Sequence, residues 1–170
     1  EDRVRAASEQ RSVEIGVTLP ERDLFVRGDA IQLTSAIYNL LDNGVKYMGI
    51  DGGVISVRAR EIDRQIEVVV QDSGIGIPRK DLDRVFERFY RVDRGRSRAS
   101  GGTGLGLAIV RHVVANHGGR VSVESTEGEG TTFTLLLPAL RETREDESGP
   151  AETPELPSED GNGDHEVSTP

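Results

Sequence analysis

Cysteine and tryptophan are absent from this sequence of 170 residues, and its only aromatic residues are three tyrosines and four phenylalanines. Without cysteine, the chain has no disulfide framework and no thiolate metal site. No apolar run approaches the roughly 18 residues that suggest a transmembrane helix, so we do not expect this chain to span a membrane. It begins at Glu1 without an apolar signal stretch, and we therefore expect a piece of a longer protein.

A surplus of basic residues is also missing, and the negative charge is concentrated at one end. The formal net charge is −9, and residues 141–170 account for −8 of it with ten acidic residues and two arginines. The nearly neutral remainder argues against a nucleic-acid-binding protein, because such proteins carry a basic surplus. The acidic segment has almost no large apolar residues, so we predict a folded domain over 1–140 and a disordered tail over 141–170.

Several stretches within residues 1–140 alternate apolar and polar residues, as half-buried strands do. Strands are predicted at 13–19, 24–29, 53–62, 65–72, 120–125 and 130–138, and helices over about 18 residues after Asp29, over 79–86 and over 103–117. Asp29 stands at the N-cap position of the first helix, and Gly118 and Gly119 are suited to end the last one. Strand pairs that alternate with isolated helices predict an α+β sandwich with helices on one face of a mostly antiparallel sheet.

The first predicted helix carries an unusual polar cluster opposite its apolar side. On a helical wheel, Asn39, Asn43 and Lys46 lie together, and Tyr47 adjoins them. Asparagine has a low helix propensity, so two asparagines one turn apart are unfavourable for a helix surface that only faces solvent. Amide oxygens can bind Mg²⁺, which needs few protein ligands where phosphates supply further oxygens. A solvated polar face remains the ordinary alternative at this point.

The stretch "QDSGIGIP" (71–78) ends an apolar strand with a carboxylate, that of Asp72, and continues with two glycines. Gly74 and Gly76 allow the backbone to approach a flat ligand closely. A carboxylate in such a pocket can accept a hydrogen bond from an exocyclic amine such as that of adenine, and another base would leave the carboxylate unpaired. Alone, "DSG" predicts only a turn.

The stretch "GGTGLGLAIV" (101–110) places four glycines directly before an apolar helix. It is not a Walker A loop, because no Lys-Ser/Thr pair follows the glycines, and it does not match G-x-G-x-x-G, because Gly106 comes one position too early. Free N–H groups and the dipole at a helix N-terminus favour an anion. By itself the pattern fits a phosphate loop or a flexible hinge.

Together, these stretches resemble the catalytic and ATP-binding domain of bacterial sensor histidine kinases, most closely the phosphate-sensing type, over about residues 10–140. "NLLDNGVKY" (39–47) resembles the family's N box, "DSGIGIP" (72–78) its G1 box, "VFERFYRVD" (85–93) its F box and "GTGLGLAIV" (102–110) its G2 box. The resemblance implies the Bergerat fold, a two-layer α/β sandwich with a mixed sheet and about three helices. That fold is shared with gyrase, the ninety-kilodalton heat-shock chaperone and the mismatch-repair ATPases.

The resemblance also implies that the domain binds ATP and Mg²⁺. Asn43 and Asn39 would be the metal ligands, and both would act in catalysis together with Lys46. Asp72 would accept a hydrogen bond from the adenine amine, and a lid over about 79–103 would be anchored by Phe86 and Phe89. The nucleotide-binding residues would be Asn39, Asn43, Lys46, Tyr47, Asp72, Gly74, Gly76, Ile77, Tyr90, Arg91, Gly102, Thr103, Gly104, Leu105 and Gly106.

One position favours phosphotransfer over ATP hydrolysis. The hydrolysing branches of this superfamily have a glutamate base four residues before the metal-binding asparagine, whereas this chain has Asn39, which cannot act as a base. Gly44 and Met48 also depart from the usual pattern, which has Ala and Ser or Thr there, and Gly44 should soften the helix by up to ~1 kcal/mol. The alternatives to a histidine kinase are a non-catalytic ATP-binding module and an anti-sigma-type serine kinase.

The expected phosphoacceptor is not in this chain, because none of its three histidines, His112, His117 and His165, lies in the family's acceptor motif. His117 instead suits the C-terminus of a helix. The resemblance implies a histidine on a separate dimerisation hairpin and a response regulator as partners. It also implies a homodimeric, membrane-anchored parent kinase whose cytoplasmic portion includes this domain.

Overall fold

The computed structural model describes residues 12–92 and 103–140, so the predicted tail and residues 93–102 of the predicted lid, including Gly102, lie outside the described residues. The described residues form five strands, two α-helices and one 3₁₀ turn. In chain order these are β1 (Val13–Thr18), α1 (Ala30–Lys46), β2 (Gly53–Ile62), β3 (Gln65–Asp72), the 3₁₀ turn (Arg79–Asp81), α2 (Gly106–Asn116), β4 (Arg120–Thr126) and β5 (Gly130–Pro138).

The five strands form one mixed sheet in the order β1-β2-β3-β5-β4. β1 pairs with β2 in parallel, and the other three pairs are antiparallel. The register places Asp72, at the end of β3, between Ile55 on β2 and Thr131 on β5. The predicted sandwich with a mostly antiparallel sheet is therefore confirmed, with two α-helices rather than about three in the described part.

Both helices pack on one face of the sheet, where alternating strand residues form the core. The most deeply buried large side chains come from both layers: Leu40 of α1, Val110 and Val114 of α2, Ile55 of β2 and Leu135 of β5. Burying a side chain of this size stabilises the fold by about 1.5–3 kcal/mol. The core therefore fixes how α1 and α2 pack against the sheet.

A histidine joins the opposite ends of the two helices. The Asp29 carboxylate accepts hydrogen bonds from the N–H groups of Ile31 and Gln32, which confirms Asp29 as the N-cap of α1. His117 Nδ1 lies 2.7 Å from the carbonyl oxygen of Val113, and its Nε2 accepts from the N–H of Asp29 at 2.9 Å. Only the neutral ring with its proton on Nδ1 makes both bonds. The predicted role of His117 at a helix C-terminus is confirmed.

Three predicted elements differ in the structure. The strand predicted at 24–29 is reduced to a single bridge between Val26 and Ala139, because the chain must turn into the N-cap of α1. The helix predicted at 79–86 is one 3₁₀ turn followed by further turns, because the chain turns to bury Val85 and Phe86 in the core. The second helix begins at Gly106 rather than residue 103, because Gly104 has a φ of +72° that no helix accommodates.

The two departures from the family pattern have packing explanations. A Cβ at Gly44 would lie 2.8 Å from Ile55 Cδ1, so alanine fits only if this buried side chain moves. Met48 is 6% exposed, and its sulfur lies where a side chain at Gly53 would otherwise be. The Ser73 hydroxyl lies 3.7 Å from the same sulfur. Both residues therefore belong to a local packing arrangement between α1 and β2.

Candidate functional site

The N-box, G1 and G2 stretches meet at one end of the sandwich. The N–H of Ile75 in the G1 stretch donates to the carbonyl oxygen of Tyr47 at the end of α1, at 3.0 Å. A Cβ at Gly106 in the G2 stretch would lie 2.9 Å from Asn39 Oδ1. The helix with the polar cluster is thus in contact with both glycine-containing stretches, as a shared binding site requires.

The polar cluster of α1 has a defined orientation. Asn39 Nδ2 donates to the carbonyl oxygen of Ser35 at 2.8 Å, and this bond directs the other amide atom, Oδ1, toward the start of α2. Lys46 forms an ion pair with Asp42, four residues earlier on the same helix. Asn43 is half-buried between them along the helix. The cluster therefore directs one amide oxygen, that of Asn39, toward the G2 stretch, with Asn43 and Lys46 further along the same helix.

Asp72 is a half-buried carboxylate held by backbone donors. Its Oδ1 accepts from the N–H of Gly74 at 2.8 Å, and the backbone of Thr131 also hydrogen-bonds to the carboxylate. Burial raises the pKa of Asp72 above its ordinary value, and the two backbone hydrogen bonds lower it only in part. The result is a preoriented acceptor whose charge is incompletely solvated and which favours a further donor.

Both glycines of the G1 stretch are required by close backbone contacts. A Cβ at Gly74 would lie 2.6 Å from the carbonyl oxygen of Tyr47, and one at Gly76 would lie 2.1 Å from the carbonyl oxygen of Thr126. Gly76 also has a φ of +68°, in the left-handed region that favours glycine. The G1 stretch is therefore held between the end of α1 and the β4–β5 turn.

Sequence reasoning missed two hydroxyl residues beside Asp72. Ser125 on β4 accepts a hydrogen bond from the N–H of Ile77 at 2.8 Å, and its Oγ lies 3.1 Å from Thr131 Oγ1. A cavity of about 190 Å³ opens here and is lined by Asp72, Ser125 and Thr131 among others. No local pattern marks these residues, because the pairing of β5 with β3 places Thr131 opposite Asp72, and the pairing of β4 with β5 brings Ser125 beside Thr131.

The G2 stretch is shaped by Gly104 before α2 begins. The N–H of Phe89 donates to the carbonyl oxygen of Gly104 at 2.8 Å. A Cβ at Gly104 would lie 2.9 Å from the backbone of Phe89, so a larger residue does not fit. Thr103 is exposed and Leu105 is half-buried, next to the first residue of the helix, Gly106. The described part of this stretch is thus tied directly to the F-box stretch.

The F-box stretch has one buried and one exposed phenylalanine. Phe86 is buried in the core and meets Phe133 edge to face, with ring centroids 6.3 Å apart, which confirms it as an anchor. The prediction that Phe89 is a second anchor is wrong for its side chain, which is 71% exposed. Its φ of +65° turns the ring away from the core, and only its backbone N–H is tied down.

Tyr90 and Arg91, the two predicted nucleotide contacts of the F-box stretch, follow Phe89 directly. The Tyr90 hydroxyl donates to Asp81 Oδ1, and the Arg84 guanidinium stacks over the ring at 4.2 Å from its centroid. The hydrogen bond to Asp81 raises the pKa of Tyr90. Arg91 follows and is half-buried. In this structure the Tyr90 hydroxyl therefore has a protein partner.

The donor set fits magnesium held jointly with phosphates, and not by protein ligands alone. Within the described ranges, no three His, Asp or Glu side chains form a group that could hold a metal ion. Asn39 and Asn43 supply neutral amide oxygens one helical turn apart, with Asn39 Oδ1 facing the G2 stretch. Mg²⁺ in nucleotide sites usually takes one or two protein oxygens and completes its shell with phosphate oxygens and water.

In the part of the chain that the structure describes, no helix is both long enough and apolar enough to cross a membrane.

The chain is similar to known sensor histidine kinases. The sensor-like histidine kinase SenX3 of Mycobacterium tuberculosis is 45% identical over 168 residues, which are 98% of this chain and 40% of SenX3. The sensor histidine kinase WalK of Bacillus subtilis is 44% identical over 146 residues, which are 85% of this chain and 24% of WalK. The chain thus spans less than half of either relative.

Solved structures of sensor kinases have the same fold. The mycobacterial sensor histidine kinase MprB superposes with a TM-score of 0.68 at 37% identity, over 81% of this chain and 92% of that one. Full-length ShkA, solved in complex with AMPPNP, superposes with a TM-score of 0.68 at 27% identity, over 81% of this chain and 28% of that one. The family model described as histidine kinase-, DNA gyrase B- and HSP90-like ATPase matches residues 28–141. Because this match covers more than half of the sequence, the chain belongs to that family.

Proposed function

We propose that this chain is the ATP-binding catalytic domain of a sensor histidine kinase, which transfers the γ-phosphoryl group of Mg·ATP to a histidine on a separate dimerisation hairpin. The observation that carries the proposal is the meeting of the N-box, G1 and G2 stretches at one end of the sandwich. The relatives named above are sensor histidine kinases, and ShkA was solved with the ATP analogue AMPPNP.

The base would be recognised at the end of β3. Asp72, held by the N–H groups of Gly74 and Thr131, would accept a hydrogen bond from the adenine amine. Gly74, Gly76 and Ile77 would shape the pocket, because the backbone there leaves no room for larger side chains at the glycines. Guanine lacks an amine donor at the equivalent position, so it would leave the half-buried carboxylate without this additional donor. Tyr47, 41% exposed at the end of α1, would line the same pocket.

The triphosphate and its metal would lie between α1 and α2. Asn43 and Asn39 would provide amide oxygens to Mg²⁺, which supplies charge neutralisation of the phosphates when bound. Lys46 would add a positive charge once it exchanges Asp42 for a phosphate. The G2 residues Gly102, Thr103, Gly104, Leu105 and Gly106 would hold phosphate oxygens through backbone N–H groups, with Tyr90 and Arg91 close by.

Asn39 supports transfer to a protein nucleophile over transfer to water. Its amide donates to Ser35 and has no lone pair basic enough to take a proton from water at neutral pH. Catalysis would therefore depend on positioning and charge neutralisation while the acceptor histidine approaches.

We also infer the domain bounds and the partners. The catalytic unit ends near residue 140, and the acidic segment 141–170 is a separate tail. The partners are the hairpin of the parent homodimer and a response regulator.

The direct test combines this chain with the dimerisation hairpin of its parent kinase and labelled Mg·ATP. We expect acid-labile, base-stable label on the hairpin histidine. Asn43→Asp should abolish the transfer while far-UV circular dichroism remains unchanged, because the domain is folded and only a metal ligand is altered. Nucleotide binding without any phosphohistidine would contradict the kinase proposal and favour a regulatory ATP-binding module, whereas acid-stable phosphoserine would favour a serine kinase.

A further inference from the structure

A buried carboxylate, Asp81, lies between the two glycine-containing stretches and has no role in the proposed chemistry. It is 7% exposed and follows the G1 stretch in the 3₁₀ turn, where its N–H donates to the carbonyl oxygen of Pro78 at 2.8 Å. Its Oδ1 accepts from the Tyr90 hydroxyl. Its Oδ2 is buried and accepts no hydrogen bond from any residue the structure describes. The Tyr90 bond is thus what compensates the burial of this carboxylate.

The Tyr90 side chain is held from two further sides. The Arg84 guanidinium stacks on its ring, and the same guanidinium donates to the Glu87 carboxylate at 3.1 Å and 3.3 Å. The Tyr90 N–H also donates to the carbonyl oxygen of Glu87. A hydrogen bond to a buried carboxylate is stronger than a neutral one, and losing it would leave a desolvated charge. The position of Tyr90 is therefore well defined.

The backbone next to Tyr90 holds the G2 stretch. The preceding residue, Phe89, donates its N–H to the carbonyl oxygen of Gly104. A Cβ at Gly104 would lie 3.0 Å from the carbonyl oxygen of Tyr90, so the two backbones are in direct contact. At the other end, the N–H of Ile77 is bound to Ser125 beside Asp72. A continuous path therefore runs from the base pocket through Asp81 and Tyr90 to Gly104.

We propose that the hydrogen bond between Asp81 and Tyr90 is a strut that fixes the distance between the G1 and G2 stretches, so that both engage one nucleotide. The inference rests on the proposed function, because it assigns the two stretches to the base and to the phosphates. Asp81 is then a positioning residue that touches no nucleotide. Tyr90 acts on the nucleotide site mainly through the backbone contact with Gly104, and not through its hydroxyl.

The test measures Mg·AMPPNP affinity by calorimetry on the full 170-residue chain, for Asp81→Asn, Tyr90→Phe and the double variant. Each single change should weaken binding about tenfold or more, which is the size expected for the loss of a charge-assisted hydrogen bond. The double variant should be no weaker than the worse single variant, because all three lose the same charge-assisted hydrogen bond. Asp83→Asn is the matched control, since Asp83 is an exposed carboxylate on the same segment and should leave the affinity unchanged.

With the hairpin present, both single variants should raise KM for ATP about as much as they weaken AMPPNP binding and leave kcat within twofold. A direct contact between the Tyr90 hydroxyl and the nucleotide predicts something else: Tyr90→Phe weakens binding, while Asp81→Asn leaves it unchanged or tightens it. That pattern, or additive losses in the double variant, would overturn the strut.

A nucleotide-free measurement separates failure of the strut from failure of the proposed function. Because the bond to Asp81 raises the pKa of Tyr90, ultraviolet titration of the tyrosines should show one ionisation at lower pH in Asp81→Asn than in the unaltered chain. Tyr90→Phe should lack that ionisation altogether. If the titration is the same in Asp81→Asn, the hydrogen bond is absent and the strut is wrong, whatever the nucleotide result. If the unaltered chain binds no AMPPNP, the proposed function fails.

Discussion

The replacement Gly76→Ala tests how closely the G1 stretch approaches the β4–β5 turn. The new Cβ would lie 2.1 Å from the carbonyl oxygen of Thr126, well inside the 3.0 Å that Cβ atoms normally keep. That oxygen belongs to the backbone and cannot rotate away, so the turn itself must move. The left-handed φ of +68° adds a second cost of about 1 kcal/mol, because alanine disfavours this region.

Moving the turn also breaks bonds that connect it to the G1 stretch. Two hydrogen bonds connect the turn to the G1 stretch and would break: Gly128 N–H to the Ile75 carbonyl oxygen, and Ile77 N–H to Ser125 Oγ, each 2.8 Å long. At about 1 kcal/mol for each bond, the total loss in the free energy of unfolding is about 3 kcal/mol. This is a large share of the roughly 5–15 kcal/mol that stabilises a typical domain.

The assay is urea unfolding of Gly76→Ala followed by circular dichroism, and Gly128→Ala is the matched control. Gly128 has a similar left-handed φ of +87°, but a Cβ there meets no atom within 4 Å. Gly128→Ala should therefore cost only the conformational part, about 1 kcal/mol. Equal losses in the two variants would refute the close contact between Gly76 and Thr126, because the steric part would then be absent.

Three further predictions concern the same end of the sandwich. Gly44→Ala gains up to about 1 kcal/mol of helix propensity but crowds Ile55 Cδ1, so thermal unfolding should show a greater gain in an Ile55→Val background than alone. Because the pKa of Asp72 is raised on folding, the folded state binds more protons than the unfolded state at pH values between the two pKa values. This contribution to the free energy of unfolding therefore grows as pH falls through that window. Urea unfolding of Asp72→Asn at several pH values should show that the variant lacks this pH-dependent contribution. Asn39→Glu introduces a potential base beside the G2 stretch, and phosphate release from Mg·ATP without the hairpin should rise at least tenfold; an unchanged rate would show that Asn39 does not decide against hydrolysis.

Much of this protein was determined by short stretches of sequence. Asp29 caps α1 because its carboxylate bonds to N–H groups only two and three residues ahead. The hairpin of β2 and β3 turns at Asp63 and Arg64, between the strands predicted at 53–62 and 65–72, because alternating apolar residues on both sides select that register. The order of the N, G1, F and G2 stretches indicated the family, and the comparisons confirm it.

The tertiary structure decided what these stretches contact. Thr131 and Asp72 are far apart in sequence and adjacent only through the pairing of β3 with β5, so no local pattern could assign the second backbone donor of the carboxylate. The Tyr90 hydroxyl bonds to Asp81, and the Phe89 ring turns outward. Both follow because this segment buries Phe86 in the core while the Phe89 N–H donates to the carbonyl oxygen of Gly104. Helix caps, turns and the positions that need glycine are determined locally, since they depend on backbone sterics within a few residues. The partners of Asp72 and Tyr90 depend on core packing, which the sequence expresses only once the whole domain is assembled.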